Sequence, residues 1–221
     1  MNACHMLMPI TGRIMQPKAI IQANTHLGHN INQMNNNMAP YILTAFQGIH
    51  LLDIYQSSQL TELLACMLFN QYKYLHACIL GNKCQLEAII RTLAVHNRYH
   101  HANGNWLTGA LTNWNGSLMT WTGLMHTGLQ SPTVFQQHTA NNDIHICTGI
   151  MHIKKPADIV IGINQQQQKM PIDECLKVNI PTCCLVDSDC YPIKEALNIP
   201  ANDDAHASIN CILSSCFYAF N

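Results

Sequence analysis

Hydrophobic and polar positions change period along the chain, and the changes mark out its elements. "YLHACILG" at 74–81 is a short apolar run closed by Gly81, the pattern of a buried strand. Directly after it, "NKCQLEAIIRTLAVH" sets Leu86, Ile89, Ile90 and Leu93 at i, i+3, i+4 and i+7, which predicts a helix from near Asn82 with one apolar face. A second buried strand is expected over 157–163 ("ADIVIGI"), then a short helix through "PIDECLKVN" and a third strand over 180–187 ("IPTCCLVD"). Strands and helices alternating at this spacing make parallel crossovers.

Upstream, "AFQGIHLLDI" (45–54) reads as one more strand. "SSQLTELLACMLFNQYK" reads as a helix capped by Ser57 or Ser58 and covering Leu60, Leu63, Leu64, Met67 and Leu68. The C-terminal "NIPANDDAHASINCILSSCFYAF" predicts a terminal helix with Asn202 or Asp203 as N-cap and acids in its first turn. Ala205, Ile209, Ile212 and Cys216 would form its buried face. The alternation predicts a three-layer α/β domain on a mostly parallel sheet, with flavodoxin-like or Rossmann-like topology. Gly116, Gly123, Gly128 and Pro132 interrupt it, so 115–155 is expected to be a shortened, irregular insertion. Residues 1–22 read as an N-terminal extension and 23–221 as one domain. "QQQQ" at 165–168, directly after a strand, reads as an exposed loop or helix entrance.

Composition narrows the function. Only 10% of the 221 residues are charged, against roughly 25% in an ordinary soluble domain. With 11 Lys+Arg against 12 Asp+Glu, the chain has no global positive field to draw in nucleic acid. Low net charge suits a permanent assembly better than dilute solution. The 11 Cys include no C-x2-C pair, which excludes zinc-ribbon and thioredoxin patterns and leaves buried, reduced thiols. No apolar run nears the ~20 residues a membrane span needs, and no secretory segment is evident, so a soluble intracellular protein is expected. The first 52 residues carry only Arg13 and Lys18 as fixed charges, an acid-poor start compatible with organelle import.

Candidate chemistry is sparse. No strand is followed by G-x-G-x-x-G or G-x4-G-K-[ST], and "NKCQ" after Gly81 offers one Lys without a glycine nest for phosphate. No cofactor is expected. "HLGH" places His26 and His29 three apart, but no third ligand at useful spacing accompanies them, so no metal is expected. His100 and His101, adjacent on an extended segment, would point to opposite faces. Asp187 with Asp189, and Asp203 with Asp204, read as a strand-end turn and a helix cap before they read as acid/base pairs. No Ser, Cys and His constellation marks a nucleophile, so catalysis is not expected.

"WLTGALTNW" at 106–114 holds two of the three Trp residues. It resembles the W-L-x-G-x-L-T-N-W segment of the small-subunit ribosomal protein S2 family, bacterial and organellar type, through Trp106, Leu107, Gly109, Leu111, Thr112, Asn113 and Trp114. Further stretches resemble that family in order: "HLGH" its H-F-G-H, "MAPYI" (38–42) its M-x-P-[FY]-I, "PADIVIGI" its P-D strand, and the succession "NIPTCCLVDSD" and "IPANDDA" its G-I-P…V-D and I-P-G-N-D-D-A motifs. The cytosolic eukaryotic branch lacks the Trp-Leu and the terminal Trp. The resemblance spans about 23–215 and implies a structural constituent of the small ribosomal subunit, on the solvent side where head meets body. Its partners would be small-subunit rRNA and neighbouring ribosomal proteins, with no DNA and no membrane.

Departures from the family remove cations. Its N-H-R before the first Trp is "NGN" here, its M-K-P is Met38-Ala39-Pro40, and its long charged hairpin after the second Trp is cut to about 40 residues. These losses favour a mitochondrial ribosome, in the matrix, over a plastid or bacterial one. They also imply that protein neighbours and shape hold the subunit as much as phosphate contact does. The RNA-contacting residues expected are His26, His29, Lys83, Arg98, His100, Asn105, Thr112 and Asn113. The competing reading is a small α/β enzyme or nucleotide-binding domain working at the C-terminal strand ends, with Asp187 and Asp189 near its site.

Overall fold

Residues 17–70, 76–81, 84–103, 106, 108–116 and 155–218 are described by a computed structural model of the chain. Lys83, Asn105 and the expected insertion beyond 116 lie outside them, as does Leu107. In chain order the elements are α1 (Pro17–Gln22), β1 (Leu27–Asn30), β2 (Ile42–Phe46), β3 (Ile49–Leu52), α2 (Ile54–Asn70), β4 (Ala77–Gly81), α3 (Cys84–His96) and β5 (His100–Asn103). After these come β6 (Ile159–Gly162), α4 (Lys169–Lys177), β7 (Thr182–Val186), β8 (Leu197–Pro200) and α5 (His206–Tyr218).

Apolar strands make the central layer. Strands β5-β4-β6-β7-β8 pair in that order and all run parallel, which counted along this sheet is the flavodoxin-like order 2-1-3-4-5. Every residue of β4, β6 and β7 is buried, because both faces of the sheet are covered. Ile79, Ile161, Leu185 and Ile199 pack with Leu64 of α2, Ile90 of α3, and Ile209 and Ile212 of α5. On the other face, Cys78, Leu80 and Val160 meet Cys175 of α4 and Trp106, Leu111 and Trp114. Cys184 and Val186 pack there with Ile172 and Met38. The result is the expected three-layer α/β fold.

Several local expectations are corrected. The run 45–54 is two strands: Gln47 (φ +50°) and Gly48 (φ +85°) form a tight turn, and β2-β3 is a hairpin in a separate antiparallel sheet of order β1-β3-β2. Two successive positive φ values match the twist of a hairpin, and Gly48 supplies one of them without strain. Helix α2 starts before either serine. Its cap is Asp53, whose Oδ1 accepts from the N–H of Tyr55 (2.9 Å) and Gln56 (3.4 Å). Ser57 lies inside the helix and donates to the Pro200 carbonyl (2.6 Å), tying α2 to the end of β8. Leu63 and Met67 are exposed, so the buried stripe of α2 is narrower than the pattern implied.

Helix α5 begins at His206 with no acid in its first turn. Asn202 instead closes a turn ahead of it, its Oδ1 accepting from the N–H of Asp204 (2.9 Å) and Ala205 (3.0 Å). Strands β1, β5 and β8 gave no apolar signal; β5 and β8 are the sheet's edges, and β5 ("HHAN") is largely polar. In the glutamine run, Gln165 and Gln168 are buried rather than exposed, and only Gln166 and Gln167 face solvent. Gln165 Nε2 donates to the Tyr191 carbonyl and Gln166 Nε2 to that of Asp189, so the run fastens the end of β6 to the turn after β7. The buried cysteines are free thiols, and burial pushes those of Cys175 and Cys184 up to about 12, which leaves them unreactive.

Gln47 holds a left-handed backbone that costs a residue with a Cβ about 1–2 kcal/mol unless its side chain suits it. Replacing Gln47 by Asn should therefore stabilise the protein by about 0.5–1 kcal/mol in urea unfolding, and an unchanged or lower midpoint would contradict the turn assignment.

Candidate functional site

Two constructions carry the residues singled out in the sequence. The first explains "WLTGALTNW". Glu174 projects from α4 into the layer above the sheet, almost fully buried, and its two carboxylate oxygens divide between two backbone donors of this stretch. Oε1 accepts from the N–H of Gly109 (2.6 Å) and Oε2 from that of Leu111 (3.0 Å). Gly109 has φ +89°, a left-handed conformation that glycine takes without strain. Below the turn, Trp106, Leu111 and Trp114 cover Cys78, Leu80 and Val160. The apolar letters of the stretch seal the sheet, and the tight turn presents N–H groups to one buried acid. Thr112 and Asn113, the polar pair, are exposed.

The second construction lies at the C-terminal end of β7, where "HLGH", "LVDSD" and "IPANDDA" converge. The His29 N–H donates to Ser188 Oγ (2.8 Å), the Asn35 N–H to the Ser188 carbonyl (3.0 Å), and the Asn202 N–H to the Thr25 carbonyl (2.9 Å). Gly28 makes the approach possible, since a Cβ on it would stand 2.8 Å from Ser188 Oγ and 3.1 Å from Asp187 Oδ1. The His29 ring then sits among three carboxylates: Nδ1 is 3.2 Å from Asp187 Oδ2 and 3.8 Å from Asp189 Oδ1, and Nε2 is 3.4 Å from Asp204 Oδ2. Burial alone would lower the imidazole pKa, but the negative charge of Asp187, with Asp189 and Asp204, outweighs it and holds His29 above the ordinary histidine value. Asp187 is 1% exposed, and burial raises its carboxyl despite the Ser188 N–H and His29.

The histidine–carboxylate cluster does not stand at the sheet's ligand crevice. A parallel sheet of this order opens its ligand crevice at the switch between β4 and β6, whereas the histidine–carboxylate cluster stands at β7. Asp187 is sealed against His29 and Ser188 rather than open to a substrate.

The other expected site residues lie apart. His26 is half-buried beside this cluster in sequence, and its backbone carbonyl accepts from Leu52, closing β1 on β3. Arg98 is exposed just past α3, in a left-handed conformation (φ +59°) whose N–H returns to the Val95 carbonyl. His100, on edge strand β5, stacks on His76 with ring centroids 5.7 Å apart. The adjacent His101 has its pKa lowered by burial and by Arg91. Thus Arg98 lies just before edge strand β5 and His100 on it, Thr112 and Asn113 stand on the turn held by Glu174, and His29 is drawn into an acidic cluster elsewhere. Sequence reasoning missed Glu174, Gly28 and Ser188. Glu174 had a signal, an acid between Ile172 and Cys175 on the inward face of α4; Gly28 and Ser188 had none, because their partners lie about 160 residues away.

A family model described as Ribosomal protein S2 matches residues 20–221, almost the whole chain. The chain belongs to that family. As a Ribosomal protein S2 family member it is a structural protein of the small ribosomal subunit, in a family whose role in translation is not enzymatic. Of the stretches that carried the resemblance, 106–114 forms the first construction, and 26–29, 179–189 and 199–205 meet at the second.

Replacing Glu174 by Gln turns one acceptor into a donor facing a backbone N–H, and should cost about 1–3 kcal/mol. Gly28→Ala should cost a similar amount by overpacking against Ser188. Chemical denaturation reads both, and a loss under 0.5 kcal/mol in either would refute the corresponding contact.

Proposed function

We propose that this Ribosomal protein S2 family member is a constituent of a mitochondrial small ribosomal subunit, in the matrix, binding small-subunit rRNA along the sheet edge near β5 and holding to protein neighbours elsewhere. The observation that carries the reading is how the family segments are used. Their backbone donors and polar side chains turn inward, to Glu174 and to the β7 end, so the RNA-facing role is assigned to exposed Arg98, Thr112 and Asn113 and to half-buried His100 on edge strand β5, with Lys83 and Asn105 as further candidates from the sequence.

Charge supports the division of labour. If six cations reached phosphates, that would exceed half of the 11 available, and each such contact weakens as salt rises. Apolar side chains meanwhile stay exposed on the outer layers, Leu43 and Phe46 on β2 and Tyr55, Leu63 and Met67 on α2, as a surface buried by neighbouring proteins would have. The low cation content and the acid-poor start favour the mitochondrial setting.

Sedimentation of a mild lysate through a sucrose gradient tests this. The chain should travel with the mitochondrial small subunit and stay there in moderately high salt. Arg98→Glu should lower its incorporation several-fold while changing stability by less than about 0.5 kcal/mol, as expected at an exposed position. Release at raised salt would show that phosphate contacts dominate, and recovery at the top of the gradient in both conditions would refute the assignment.

A further inference from the structure

We propose that His29, Asp187 and Asp189 form a binding site for a divalent transition-metal ion, zinc by ligand chemistry, which clamps β1 to the turn after β7. One donor atom from each of His29, Asp187 and Asp189 lies within 4.8 Å of the other two. Two of the separations are 3.2 and 3.8 Å. Tetrahedral zinc with bonds of about 2.0–2.2 Å sets its ligand atoms about 3.3–3.6 Å apart, between those two values.

A second observation points to a ligand. Asp187 is 1% exposed, and its two oxygens differ: Oδ1 accepts the Ser188 N–H, while Oδ2 is buried without an aligned hydrogen bond and has only the His29 ring beside it, Nδ1 at 3.2 Å. Nδ1 is likewise buried and poorly aligned with that oxygen. A cation shared between these two buried atoms would satisfy both at once, in place of the poorly aligned ion pair.

Around the cluster, the other contacts have the form of a supported metal site. Asp204 Oδ2 lies 3.4 Å from Nε2, where it holds the ring with its proton on Nε2 and leaves Nδ1 free to coordinate, the arrangement of a carboxylate–histidine–metal triad. Asp204 is therefore a positioning residue. Ser188 fixes both chain segments through its hydroxyl and carbonyl, and Gly28 lets them close. One imidazole nitrogen with carboxylate oxygens selects zinc over magnesium or calcium, which prefer all-oxygen ligands. Three carboxylates facing one histidine supply the charge a dication needs.

This inference does not rest on the ribosomal reading, and its test does not use ribosomes. The full chain, freed of metal by a chelator, is titrated with zinc chloride and separately with cobalt chloride. Expected are one equivalent bound, a higher melting temperature, and a cobalt spectrum without thiolate charge-transfer bands. Asp189→Asn, whose side chain is partly exposed, should keep the circular dichroism of the parent and bind at least tenfold more weakly, while Asp204→Asn should weaken binding about tenfold. No uptake, uptake unchanged in Asp189→Asn, or strong thiolate bands would each overturn the proposal, leaving His29 and Asp187 as an ion pair only.

Discussion

The fold depends on a close approach between two distant pieces of backbone. Strand β1 passes the turn after β7 at a separation that leaves no room for a Cβ on residue 28, and Ser188 bonds to the chain on both sides of the gap. The small antiparallel sheet is joined to the parallel one through this contact. Loss of the contact would leave β1, β2 and β3 held mainly by the Asn202–Thr25 bond and the packing of Met38, Tyr41 and Ile42 on Val186. The Glu174 clamp does the corresponding task on the other half of the sheet, where one buried acid fixes a turn that two tryptophans press onto β4 and β6.

Legibility in the sequence followed burial. Strands β4, β6 and β7 are covered on both faces, so each is a continuous apolar run; α3 and α5 each bury one clear stripe. The elements that escaped reading are those whose stability comes from partners rather than from their own pattern. Strand β5 is a polar edge, β8 is four residues ending in proline, and the β2–β3 turn is Gln-Gly rather than the stronger Asn-Gly signal. Buried polar residues misled most. Gln165, Gln168 and Ser57 look like surface letters, yet each sits inside the structure, and two of them bond to carbonyls far along the chain.

The candidate site was legible as a set of stretches and not as a geometry. "HLGH" lacked a third ligand at any useful spacing, because the acids that face His29 come from residues 187, 189 and 204. Only a parallel sheet that brings the end of β7 beside β1 puts them together. The same geometry explains how a family segment rich in histidine can be unsuited to phosphate. An imidazole ringed by carboxylates repels an anion, whatever its own protonation. In this chain the stretches that identify the family hold its architecture, and the proposed RNA contact is assigned to the few exposed cations and amides that remain.

A cryo-EM map of the native small subunit containing this chain tests that separation most directly. The account predicts His29, Asp187 and Glu174 turned inward with no rRNA phosphate against them, and rRNA approaching Arg98, His100 or the Thr112–Asn113 turn. A phosphate seated on His29, with the β5 edge facing solvent, would contradict it.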